Sequence, residues 1–186
     1  LLAHPGKKLL FMGAELGQWH EWDSDGQLDW YLLQQPENQK IHRFFKEINA
    51  FYKKEPALWE IDFDWEGFEW LVSDDNHNNV VVFLRKDRKG RDLLCAINFS
   101  PNTYEDYRMG VPAHRRYVPV FNTDAEIYGG AGFGDTQPVP VEAIPSHGRE
   151  CSAAIRIPAF GAVFLRGEGT FPKPRKKSKA KELEKT

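Results

Sequence analysis

Cysteine is scarce: two residues, Cys95 and Cys151, in 186. That excludes a disulfide framework of the kind that holds small secreted domains together. Cys95 sits in an apolar run and reads as a small core residue, so the expected setting is reducing and cytoplasmic. No apolar run approaches the ~18 residues of a membrane span. The opening Leu1-Leu2-Ala3-His4-Pro5-Gly6 lacks the pattern of a secretion signal. It also lacks an initiating Met, so the chain reads as part of something longer. Metal-ligand spacings are missing: the six His are scattered, and there is no Cys-x-x-Cys. Asp23-Ser24-Asp25-Gly26 starts like a calcium loop, but the third acidic position is absent and the twelfth is Gln34. A phosphate cradle must open a helix, whereas Gly129–Gly134 leads to Pro138 and Pro140. No Gly-x-Ser-x-Gly elbow is present. No metal and no cofactor are therefore expected. Asn98-Phe99-Ser100 has the form of a glycosylation sequon but lies at a strand end and reads as structural.

Strong charge of one sign is also missing: 25 Lys+Arg face 27 Asp+Glu. The balance hides an asymmetry. Residues 173–186 hold seven basic and two acidic groups, leaving residues 1–172 at −7. An acidic body argues against a nucleic-acid surface. The basic tail, within an expected disordered segment 169–186, reads as a solubilising extension; a scaffold whose tail binds polyanions is the lesser reading.

What is present changes character near residue 60. All six tryptophans lie between residues 19 and 70. Lys8–Met12 is a short apolar run ending at Gly13, which reads as a buried strand. Residues 13–29 show no periodicity and read as a long, functional loop. Ile41, Phe44, Phe45, Ile48, Phe51 and Tyr52 fall on one stripe at the 3.6 period. That predicts a helix from Pro36 to about Lys54, stopped by Glu55-Pro56. Strands are then expected at Phe68–Val72, Val80–Arg85, Leu93–Phe99, Tyr104–Met109, Tyr117–Phe121, Val139–Ile144, Ser152–Ile157 and Ala162–Leu165. The fold class is mainly β: a C-terminal antiparallel β-sandwich (residues 60–168) preceded by one βα unit (residues 1–59).

One constellation carries chemistry. Gly13-Ala14-Glu15-Leu16-Gly17-Gln18-Trp19-His20-Glu21-Trp22 is followed by Leu28-Asp29-Trp30. Indole faces interleaved with carboxylates and amides suit sugars, whose ring faces stack while their hydroxyls need partners. A Trp-rich hydrophobic cover on a barrel end fits the composition equally well.

The run His4-Pro5-Gly6-Lys7-Lys8-Leu9-Leu10-Phe11-Met12-Gly13-Ala14-Glu15-Leu16-Gly17-Gln18-Trp19 resembles the eighth barrel strand, and following loop, of bacterial 1,4-α-glucan branching enzymes of the α-amylase superfamily. The likeness continues through Gly67-Phe68-Glu69-Trp70-Leu71, Asn98-Phe99-Ser100-Pro101, Tyr107–Pro112, Asn122–Gly130 and Ser146-His147-Gly148-Arg149, about residues 1–166. It implies that residues 1–59 end a catalytic (β/α)8 barrel. It implies a parent that cuts an α-1,4-glucan and rejoins it through a 1,6 link by retaining transglycosylation in glycogen synthesis. In that family the catalytic carboxylates stand on earlier barrel strands, so none is assigned to this chain, which alone is expected to be inactive. The resemblance makes Trp30 a glucan-stacking candidate, with Trp22, Gln18, Asp29 and Glu15 as further substrate-binding candidates. Glu15 serves equally well as a brace for the loop. Where the family has Asn-Glu-Phe this chain has Ala14-Glu15-Leu16, which removes Ala14 and Leu16 from any binding role. The expected partner is α-1,4-glucan, with no nucleic acid and no membrane. A non-catalytic α-glucan-binding or accessory module is the alternative. Self-association through the exposed barrel-derived helix is also expected, because a solitary βα unit leaves apolar faces without partners.

Overall fold

The computed structural model describes residues 1–171, so the basic tail from residue 172 lies outside the described residues. Helix α1 runs Pro36–Lys54, with Pro36 in its first turn and Glu55 extended beyond its end. Both boundaries follow from proline: Pro36 lacks only an N–H that helix starts leave unpaired, and Pro56 pushes Glu55 out of helical backbone. The strands are β1 Phe68–Asp75, β2 Val80–Lys86, β3 Asp92–Asn98, β4 Tyr104–Gly110, β5 Arg116–Asn122, β6 Val139–Pro140, β7 Ser152–Ile157 and β8 Ala162–Glu168. They form a six-stranded sheet ordered β1-β2-β3-β8-β5-β6 and a two-stranded sheet, β4-β7. Every strand pair is antiparallel. Among the described residues no helix is long and apolar enough to cross a membrane.

The large sheet is buried on both faces, which explains the unbroken apolar runs of β2 and β3. On one face Val82, Leu84, Leu94, Ala96, Val163 and Leu165 meet Tyr107, Met109, Ala153, Ile155 and Ile157 across the sandwich. On the other, Phe83, Leu93, Cys95 and Phe164 join Ala57 and Leu58, with Phe51 and Tyr52 packed against them. The α1 stripe thus finds its partner on the outer face of the sandwich. Phe51 stacks on Phe121 at 5.1 Å and meets Phe164 edge-on at 5.5 Å. Tyr128, from the glycine-rich loop, stacks on Phe121 and donates to Glu47 at 2.6 Å. In that loop the Asp124 carboxylate accepts from the Ala131 and Phe133 amides, and Gly129 turns at φ 89°. The loop is a bracket for the helix.

Arg85 is fully buried on β2 and ties the N-terminal segment to the sheet. It donates to the carbonyls of Ala3 (2.7 Å), Gly67 (3.2 Å) and Leu58 (3.3 Å), and to Asp62 at 2.8 Å. Lys8 lies 3.5 Å from the same carboxylate.

Four expectations change. Leu9 to Met12 joins no ladder and is exposed, Leu9 at 67%. A central barrel strand needs a neighbour on each side, and the described residues offer this run none. The Val139–Ile144 run shrinks to Val139–Pro140 plus one bridge, Glu142↔Ser152, since Pro140 and Pro145 cannot donate to a ladder. The segment 13–29 contains a 3-10 turn at Ala14–Leu16. Order continues past residue 168: the Phe171 amide donates to Ala113, and its side chain packs on the sandwich core. Asn98, by contrast, has the structural role expected: it is buried, donates to Asn102 and Pro158, and accepts from Ser100.

Candidate functional site

The aromatic loop sits against the N-terminal end of α1. Gly13 (φ 81°) and Gly17 (φ 62°) flank the turn Ala14–Leu16 in left-handed backbone, which other residues adopt only with strain. Leu16 is fully buried and anchors the turn. Asn38 of α1, itself buried, donates its side-chain amide to Leu16 O (2.7 Å) and Gly17 O (3.0 Å). The brace of this loop is therefore Asn38. Gln18 folds over Gly13 so closely that a Cβ there would collide with it, and its Oε1 is buried without a hydrogen-bond partner among the described residues.

A second 3-10 turn, Trp30–Gln34, follows, with the Asp29 carbonyl accepting from Leu32 at 2.9 Å. Leu32 is buried, and Gln39 of α1 donates to the Leu33 carbonyl at 2.8 Å. Both turns are thus pinned to one end of one helix. Among the residues expected to bind, Trp30 presents a half-exposed indole, 55% accessible. Trp22 is equally open and packs edge-on against Phe11 at 5.3 Å. Glu15 lies within the first turn, and Asp29 immediately precedes the second.

The structure also gathers a second set of residues, of which the sequence placed only Trp19 and His20 in the aromatic constellation and expected none to bind. Trp19, His20, Tyr31, Gln35, Pro36 and Glu37 line an open groove floored by Leu32 and Asn38. Trp30, Trp22, Gln18, Asp29 and Glu15 do not line it. Trp19 is 78% exposed and Tyr31 56%, so both rings are available to a ligand. The missed signal was Tyr31, the polar-tipped aromatic beside Trp30. Its alliance with Trp19, twelve positions earlier, exists only because the two turns share a helix end. A second cleft of about 380 Å³ is apolar and runs between Leu1, Leu9 and Leu10 on one side and Phe45 and Ile48 on the other. Among the described residues no three His, Cys, Asp or Glu gather as a metal site.

The sequence family described as the alpha amylase C-terminal all-beta domain matches residues 70–168. The 1,4-alpha-glucan branching enzyme GlgB of Pseudomonas putida is 45% identical over 164 residues, which cover 88% of this chain and 22% of that protein. The protein of the same name from Desulfitobacterium hafniense is 45% identical over 168 residues, 90% of this chain and 27% of that protein. That of Aquifex aeolicus is 44% identical over 168 residues, again 90% and 27%. The chain spans about a quarter of the length of these relatives.

Proposed function

Because the chain belongs to the α-amylase C-terminal all-beta domain family, we propose that it is the C-terminal part of a 1,4-α-glucan branching enzyme. The observation that carries this reading is the 45% identity to GlgB proteins across 88–90% of the chain. Identity over that share of a 186-residue chain has to extend well before residue 70 and include α1.

The substrate class on this reading is α-1,4-glucan, and the reaction is retaining transglycosylation into 1,6 branches in glycogen synthesis. A nucleophilic carboxylate and an acid/base carboxyl carry that chemistry. Both belong to the part of the complete enzyme outside this chain. Residues 1–59 complete the barrel, and residues 60–168 form the platform that holds them. The chain's own contribution is binding and positioning. Trp30 offers an open indole face for a glucosyl ring, with Trp22, Asp29, Gln18 and Glu15 as further substrate-binding residues. The buried free thiols Cys95 and Cys151 suit a reducing cytoplasm.

The test compares the complete protein with the 186-residue chain alone on amylose, following the iodine colour and α-1,6 linkages by NMR. Branching by the complete protein and none by the chain is the expected result. Branching by the chain alone, or none by the complete protein, overturns the reading. Trp30→Ala in the complete protein is expected to raise KM for amylose about 2- to 10-fold, the worth of one aromatic contact.

A further inference from the structure

We propose that the groove between Trp19 and Tyr31 is a saccharide-binding site that takes a short run of α-1,4-linked glucosyl residues. This rests on the branching-enzyme reading for the identity of the glucan. The groove itself is argued from its walls.

Two exposed aromatic rings line one groove, 78% and 56% accessible, with polar groups from His20, Gln35 and Glu37 alongside. Rings that give up so much apolar surface to water gain from a ligand with flat apolar faces. The polar rim asks that the same ligand carry hydroxyls at its edges. Charge narrows the choice. Glu37 is engaged by Lys40 through both carboxylate oxygens, at 2.9 and 3.2 Å. The groove's carboxylate thus already has its counter-ion, which favours a neutral ligand over a charged peptide or nucleotide. The walls are also held in place before any ligand arrives. Asn38 fixes the Ala14–Leu16 turn that leads to Trp19, and buried Leu32 fixes the turn that carries Tyr31. Backbone turns that are already ordered lose little freedom on binding. The groove is distinct from Trp30, which does not line it.

The experiment uses the complete protein with maltoheptaose as probe. Trp19→Ala and Tyr31→Ala are each expected to weaken maltoheptaose binding, and to raise KM for amylose, about 2- to 10-fold with kcat unchanged. Trp19→Phe keeps most of the affinity, because a ring face remains. Phe99→Ala, which removes an equally exposed ring elsewhere on the sandwich, leaves both values at wild type. Ligand-induced change in tryptophan fluorescence is expected to shrink in Trp19→Ala. Unchanged affinity in both alanine variants overturns the proposal. So does a Trp19 already shielded from acrylamide in the ligand-free complete protein, which would mean that the rest of the polypeptide fills the groove. The two readings fail separately. Trp19-dependent binding without branch formation sinks the branching reading and keeps the groove; branching with wild-type affinity in Trp19→Ala does the reverse.

Discussion

At the scale of single residues, the most consequential side chain is Arg85. It carries four hydrogen bonds from inside the fold, three of them to backbone carbonyls that precede the sheet. Nothing in the sequence marks it, because Arg85 ends an apolar run and looks like a surface cap. Truncating it leaves three carbonyls unpaired in a buried site and Asp62 with Lys8, 3.5 Å away, in place of a direct hydrogen-bonded partner. Breaking a buried pair in this way costs about 3–5 kcal/mol. Arg85→Met is therefore expected to lower the unfolding free energy read from urea melts by that amount, and Arg85→Met with Asp62→Leu to recover part of it. A second residue-scale effect depends on pH. His114 exchanges a hydrogen bond with Asp92 at 2.9 Å, faces Gly169 O at 3.2 Å, and meets the Tyr117 ring edge-on. The Asp92 hydrogen bond, opposed by burial, holds the imidazole pKa above its ordinary value. A raised pKa in the folded state means that protonation stabilises the fold. The increment is fully present below the unfolded value of about 6.5 and is lost as pH rises through the folded value. His114→Gln should narrow the stability difference between acidic and alkaline buffer, read as Tm against pH. An unaltered profile would refute it.

At the scale of elements, what was legible had its partners within the chain. The α1 stripe at the 3.6 period predicts a helix that the structure shows with the same ends, Pro36 and Lys54. The apolar runs of β2 and β3 read as buried strands because both faces of the sheet are covered. Leu9–Met12 misleads for the converse reason: a run of four apolar residues carries no period, and nothing among the described residues pairs with it. Asn38 was illegible, since a polar residue in a first helical turn ordinarily faces water. Here it is the fastening between helix and aromatic loop. Asn38→Ala leaves the Leu16 and Gly17 carbonyls without their partner, a loss of about 1–3 kcal/mol. Limited proteolysis is expected to nick residues 13–30 faster in this variant while α1 and the sheets stay protected. Cleavage that is equally slow in both proteins would show that Leu16 burial alone holds the loop.

At the scale of the whole molecule, the two parts of the chain differ in how completely they bury themselves. The sandwich encloses a core of its own and covers its outer face with α1. The first twelve residues do not: Leu1, Leu9, Leu10, Phe11 and Met12 remain exposed beside the apolar cleft that reaches Phe45 and Ile48. The site is legible to a similar extent. The aromatic loop announces sugar chemistry in its residue types, yet only the packing of both turns on α1 pairs Trp19 with Tyr31. The sequence also points to the helix as the sticky surface; the structure packs Phe51 of that stripe on Phe121 and Phe164, and Phe44 on Phe121. The remaining open apolar surface lies along Leu9–Met12 and the Phe45 side of the cleft, which belongs to the helix. A contiguous apolar surface of this kind drives association in water when its covering is absent. The isolated 186-residue chain is thus expected to self-associate, with a weight-average mass in sedimentation equilibrium that climbs with concentration. Leu10→Glu, at a 41% exposed position, should shift that rise to higher concentration without changing Tm. A strictly monomeric wild-type chain across a wide concentration range would mean that these side chains find cover within the chain itself.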